Sequence, residues 1–93
     1  MSEYQTILLE EKSPHVSLLT FNRPERANAM NTQMGIELRQ VFTDYYVDSK
    51  DTRCLVVTGA GDKIFCAGGD LKDRNGMTDR QWQEQHAIYE QMV

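Results

Sequence analysis

Arg53-Cys54-Leu55-Val56-Val57-Thr58 carries its apolar residues in succession rather than in alternation. Such a run reads as a largely buried strand, the habit of parallel sheets covered on both faces. Upstream, Thr6-Ile7-Leu8-Leu9-Glu10 and Val16-Ser17-Leu18-Leu19-Thr20-Phe21 are short β-rich segments. Glu11-Lys12-Ser13-Pro14-His15 between them has the length and the proline of a hairpin loop. Pro24 cannot donate to a ladder, so the second strand is expected to end near Asn22. Asn31 or Thr32 can then cap a helix whose apolar positions are Met34, Leu38, Val41, Phe42, Tyr45 and Tyr46. Strand, helix, apolar strand is a βαβ unit, and its two strands should be parallel.

The remainder extends this plan. Gly59-Ala60-Gly61-Asp62 breaks the third strand, and Lys63-Ile64-Phe65-Cys66 leads into Ala67-Gly68-Gly69-Asp70-Leu71. Thr78-Asp79-Arg80-Gln81 fits a capping box, after which Trp82, His86, Tyr89 and Val93 share one helical face. The expected fold class is α/β, with a hairpin, a βαβ unit and a terminal helix. That helix is still periodic at Met92-Val93, and its apolar face and the open sheet edges need more chain to cover them. Residues 1–93 are therefore expected to be the leading, incomplete part of a single longer domain.

Composition excludes several classes. Hydrophobic residues are 40% and charged residues 26%, which suits a globular chain and neither a disordered nor a membrane one. Ten basic against fourteen acidic residues give a net charge of −4, with no basic cluster. Nucleic acid and anionic membrane are thereby disfavoured as main partners. The N-terminus lacks the basic start and apolar stretch of a secretory signal, so a cytoplasmic location is expected. Cys54 and Cys66 are the only cysteines and His15 and His86 the only histidines, too few and too scattered for a zinc cage. No metal site is expected, and the two thiols read as buried and inert rather than as a disulfide.

The chemistry-bearing segment is Phe65-Cys66-Ala67-Gly68-Gly69-Asp70-Leu71. Adjacent glycines permit a sharp turn or the close approach of a ligand. If Asp70 opens a short helix, amides around Gly69 to Leu71 point outward and suit a carbonyl oxygen that gains negative charge. From the residues alone, Gly68-Gly69 can equally be a tight connection, and Asp70 a simple helix cap. Gly59-Ala60-Gly61 follows a strand, but Ile64 stands where a dinucleotide fingerprint needs its third glycine. Glu84 and Glu90 read as solvated, and His86 as packed or hydrogen-bonded. Met77, Trp82 and Tyr89 fit an acyl pocket or ordinary packing equally well.

Asn22-Arg23-Pro24-Glu25-Arg26-Ala27-Asn28-Ala29-Met30-Asn31 resembles the loop after the second strand in the crotonase superfamily of enoyl-CoA hydratases and isomerases. The run from Leu55 through Gly59, Phe65 and Gly69 to Leu71 resembles that family's strand, turn and first oxyanion-hole segment. The resemblance implies a ββα spiral and an acyl-CoA thioester substrate, with no cofactor beyond the CoA that the substrate carries. It implies CoA against Arg26, Ala27 and Ala29, and adenine along the backbone of Ala67, Gly68, Gly69, Asp70 and Leu71. The Gly69 amide would be one of two donors to the thioester oxygen. The second donor and the catalytic glutamates lie further along the family's chain, so these 93 residues alone are expected to be inactive. The parent is expected to be a homo-oligomer, a trimer or a hexamer. The alternatives are a non-catalytic CoA-binding or oligomer-modulating fragment and a nucleotide-binding βαβ module.

Overall fold

The computed structural model describes residues 4–62, 64–70 and 75–92. Strand β1 (Ile7–Ser13) pairs antiparallel with β2 (Val16–Phe21), and helix α1 (Thr32–Val47) then crosses to β3 (Cys54–Gly59). β3 lies parallel to β2, in register from Val16↔Cys54 to Phe21↔Gly59, giving the sheet order β1-β2-β3. Helix α2 (Asp79–Met92) closes the described chain and packs on α1. The expected hairpin, βαβ unit and terminal helix are all present. No described helix is long and apolar enough to cross a membrane.

The hairpin is tighter than the sequence suggests. β1 runs on to Ser13, with a register shift between Glu11 and Ser13, and only Pro14 and His15 form the turn. His15 takes φ 74°, and its Nδ1 meets the Asp51 carbonyl oxygen at 2.8 Å. That contact compensates for a left-handed backbone that most side chains avoid.

Alternation in β2 buries Ser17, Leu19 and Phe21 on one face. Met34, Leu38 and Val41 of α1 descend onto that face and, with Ile7, complete the core. Each such side chain contributes about 1.5–3 kcal/mol relative to exposure. Asn31 caps α1, its Oδ1 accepting from the Met34 amide at 2.9 Å. The apolar stripe does not extend to its end, because Tyr46 is 93% exposed. β3 also departs from expectation: Val56 and Val57 are 43% and 36% exposed. α1 covers β1 and β2, so only Leu55 of β3 reaches the core margin. The strand is parallel as expected, yet within the described chain it is not the largely buried strand its apolar run suggests.

The capping box of α2 closes reciprocally. The Gln81 amide donates to Thr78 Oγ1 at 3.1 Å, and the Thr78 amide donates to Gln81 Oε1 at 3.0 Å. The packed face of α2, however, is Gln85, Ile88 and Tyr89. Trp82 and His86 stack on the outside with ring centroids 5.5 Å apart, and His86 Nε2 lies 3.2 Å from Glu90 Oε1. Gly35 explains the choice of face: a Cβ there would stand 2.7 Å from Tyr89 Cε1 and 3.2 Å from Ile88 Cγ2. The helices meet where α1 has no side chain. Val93, expected on the same face, lies outside the described residues.

Candidate functional site

Parallel pairing fixes where the site forms. Phe21 and Gly59 are opposed in the ladder, so the chain leaves β2 and β3 from neighbouring carboxyl ends. Segments 22–31 and 60–70 must therefore run side by side, and hydrogen bonds join them along their length. The Ala67 amide donates to the Ala27 carbonyl oxygen at 3.1 Å. The Met30 amide donates to the Gly68 carbonyl oxygen at 2.6 Å, and the Asp70 amide donates to the Met30 carbonyl oxygen at 2.8 Å. Met30 and Gly69 thus form an isolated parallel bridge.

That bridge determines the direction of the Gly69 amide. In a planar trans peptide, C=O and N–H point in opposite directions. The Gly68 carbonyl turns toward Met30, so the Gly69 N–H in the same peptide points away from the 22–31 segment. Gly69 is exposed, and among the described residues no group accepts from its amide. Gly68 is at φ 93°, a left-handed conformation that favours glycine, and so makes the turn before the bridge possible. The neighbouring amides are engaged differently: those of Ala67 and Asp70 are bonded internally, and that of Gly68 lies 3.4 Å from Cys66 Sγ. Of the amides expected to point outward around Gly69 to Leu71, Asp70 is therefore already committed to Met30. Leu71 lies outside the described residues, and Asp70 itself is not helical.

Whether the Asp70 side chain also caps a following helix turns on residues 71–74, which lie outside the described residues. The Asp70 carboxylate is buried, with Arg23 Nη2 at 2.9 Å and Arg26 Nη2 at 3.7 Å. Arg23 also donates through Nη1 to the Ala29 carbonyl oxygen. Asn28, buried and at φ 53°, accepts from the Arg23 amide at 2.9 Å. Its Nδ2 donates to the carbonyl oxygens of Ala60 at 3.0 Å and Ile64 at 2.8 Å. Sequence reasoning passed over Arg23 and Asn28 as sites. The available signal was an Asn between two alanines after a Pro-containing turn, because Asn tolerates the left-handed region.

Ala27 is half-buried at φ 55°, Ala29 is buried, and Ala67 and Gly68 are exposed. The Arg26 side chain is 37% exposed at the edge of the same loop. A cleft of about 230 Å³ opens between Pro24, Ala27 and Asn28 on one side and Ala60, Gly61 and Ile64 on the other. A second cavity of about 490 Å³ lies between the start of α1 and α2, lined by Thr32, Met77, Gln81, Gln85 and Ile88. Of the three residues considered for an acyl pocket, only Met77 lines it. Tyr89 packs on Gly35 and donates from its hydroxyl to the Met30 carbonyl oxygen at 3.0 Å, while Trp82 faces outward.

Gly59 has a packing role: a Cβ there would come 2.4 Å from the Phe65 carbonyl oxygen and 2.8 Å from Asn28 Nδ2. Residues 64–70 after Gly61 are not helical, so the phosphate-binding helix of a dinucleotide site does not start there. Cys54 is exposed rather than buried, and both cysteines are free thiols. Among the described residues no cluster of histidine, cysteine and acidic side chains could hold a metal ion.

The parallel β2–β3 pair joined across one helix, with its carboxyl-end loops bridged at Met30 and Gly69, matches the crotonase fold of solved relatives. The enoyl-CoA hydratase/isomerase family profile matches residues 11–93, and the chain belongs to that family. It is 46% identical over 69 residues to 1,2-epoxyphenylacetyl-CoA isomerase of Escherichia coli, covering 73% of this chain and 25% of that protein. It is 40% identical over 62 residues to (E)-benzylidenesuccinyl-CoA hydratase of Thauera aromatica, covering 67% of this chain and 24% of that one. The crystal structure of an enoyl-CoA hydratase from Bacillus anthracis superposes with a TM-score of 0.86 at 35% identity, over 96% of this chain and 35% of that one. The chain thus spans about a quarter of the length of the curated relatives it matches.

Proposed function

We propose that this chain supplies one part of an acyl-CoA site in an enzyme of the enoyl-CoA hydratase/isomerase type. The supporting observation is the exposed Gly69 amide, held in direction by the Met30 bridge and without an acceptor among the described residues. In this reading the amide donates to the thioester oxygen. During hydration, water adds to the β-carbon, the double-bond electrons move through the α-carbon onto that oxygen as an enolate, and a proton then returns to the α-carbon. A preorganised donor stabilises the enolate more than the ground state, and losing one such donor typically costs about 10²–10³ in kcat. Arg26 and the backbone at Ala27 and Ala29 would face CoA. The exposed backbone at Ala67 and Gly68, with Asp70 and Leu71, would lie along its adenine.

The reading needs no cofactor besides CoA, which enters with the substrate, and it takes the parent to be a cytoplasmic homo-trimer or hexamer. The second donor and the proton-handling glutamates would come from elsewhere in the full-length protein, so the 93 residues alone should not turn over. The test follows loss of the conjugated thioester absorbance of a short enoyl-CoA. Hydration or double-bond migration by the full-length gene product and none by the purified 93-residue chain is expected. Turnover by the short chain, or failure of the full-length protein on every enoyl-CoA, would overturn the proposal. The bare faces of Val56 and Val57 favour a second reading, a CoA-binding chain that modulates assembly by joining a homologous subunit. A stable monomer that ignores CoA in calorimetry would remove it.

A further inference from the structure

We infer that the Arg23–Asp70 ion pair is a positioning element for the Gly69 amide, an inference that rests on the donor role proposed for that amide. The side chains are 12% and 6% exposed, so the pair is largely removed from water. A buried ion pair is weak evidence of stabilisation, because desolvation offsets most of the attraction and apolar residues of similar volume often serve as well. What the pair adds here is direction. The planar guanidinium of Arg23 spans two points: Nη1 reaches the Ala29 carbonyl oxygen, and Nη2 reaches Asp70 Oδ2 at 2.9 Å.

Ala29 and Asp70 flank the two residues of the bridge, Met30 and Gly69, on opposite segments. The fork therefore closes a frame around the bridge from the side-chain direction. The Met30–Gly68 and Asp70–Met30 hydrogen bonds close it from the backbone direction. The hydroxyl of Tyr89 adds a second donor on the Met30 carbonyl oxygen. A swing of the 68–69 peptide plane would break the Met30–Gly68 hydrogen bond, and the fork restrains Ala29 and Asp70, the residues next to that bridge on either segment. Arg26, at 3.7 Å from the same carboxylate oxygen and more exposed, is too distant to substitute for the fork.

The test uses the full-length protein and two conservative substitutions. Arg23→Lys keeps a charge beside Asp70 but replaces the fork by a point donor. Its expected result is kcat lower by about 10–10²-fold, with KM within about threefold of wild type. Difference Raman spectra of a bound acyl-CoA supply a readout that a purely structural role would not move. The thioester carbonyl stretch, lowered on binding to wild type, should return toward its free value in Arg23→Lys. Asp70→Asn keeps an oxygen for the fork and should retain about tenfold more kcat than Asp70→Ala.

Wild-type kcat together with a wild-type carbonyl shift in Arg23→Lys would overturn the inference. A loss confined to KM, or equal losses in Asp70→Asn and Asp70→Ala, would overturn it too. Absence of any carbonyl shift in the wild-type protein would instead overturn the donor role of Gly69, so the two failures are distinguishable.

Discussion

Asn28→Ala removes three hydrogen bonds at once: one accepted from the Arg23 amide, and two donated to the Ala60 and Ile64 carbonyl oxygens. Each is worth about 1 kcal/mol net, and the side chain is 1% exposed, so water cannot readily replace it. Alanine must also hold φ 53°, where an L side chain other than Asn or Asp costs about 1 kcal/mol more. The local penalty is therefore about 3–4 kcal/mol, which should appear as opening of the joined loops. Native-state hydrogen exchange reads this directly at the amides of Arg23, Met30 and Asp70, all of which are donors in the site. Their exchange should accelerate by about 10²–10³ if opening is governed by that penalty. Asn28→Asp keeps the acceptor for Arg23 but turns an anionic oxygen toward two carbonyl oxygens. It should be worse than alanine at neutral pH and recover as the carboxyl protonates. Exchange in Asn28→Ala within about threefold of wild type would refute the reasoning, since Asn28 would then not be holding the segments together.

Gly35→Ala forces a Cβ to within 2.7 Å of the Tyr89 ring, and should lower stability by about 1–3 kcal/mol in chemical denaturation. The Glu37 carboxyl is buried, which raises its pKa, but donors from Gln33, the Gln5 amide and the Thr6 hydroxyl and amide outweigh that and hold it below the ordinary 4.5. Because the folded pKa is the lower one, Glu37 contributes its stabilisation above about pH 4.5. That contribution is lost as the pH falls through the folded value. Stability curves against pH should show this acid limb in wild type and lack it in Glu37→Gln. Thr78→Ala breaks one arm of the α2 capping box and should cost about 1 kcal/mol in thermal melts, with no change in α1.

The features legible in the sequence were those with local or periodic causes. Proline at 24, the cap at Asn31, the stripe of Met34, Leu38 and Val41, and the Thr78–Gln81 box each act within a few residues, and each appears as expected. The parallel β3 was legible because a run of apolar residues reports its pairing habit. What covers that strand was not, since the Val56 and Val57 pattern is the same whether neighbours are present or absent.

Residue type also failed to distinguish the two faces of α2. Aromatic Trp82 lies outside and polar Gln85 inside, because Gly35 on another helix opens the approach and Gln85 donates to Thr32 Oγ1 at 2.7 Å. The glycine pair was visible as a place of close approach, but the direction of its amide depends on Met30, thirty-nine positions earlier. Long-range pairings such as Arg23 with Asp70 leave no periodic mark in the chain.

The most direct measurement is the distance from the Gly69 nitrogen to the thioester oxygen in a crystal structure of the full-length protein with a non-reactive acyl-CoA. We expect about 2.7–3.1 Å, with the oxygen on the side of the peptide opposite Met30. A well-ordered thioester whose oxygen takes its hydrogen bonds elsewhere, with Gly69 facing only solvent, would contradict the account.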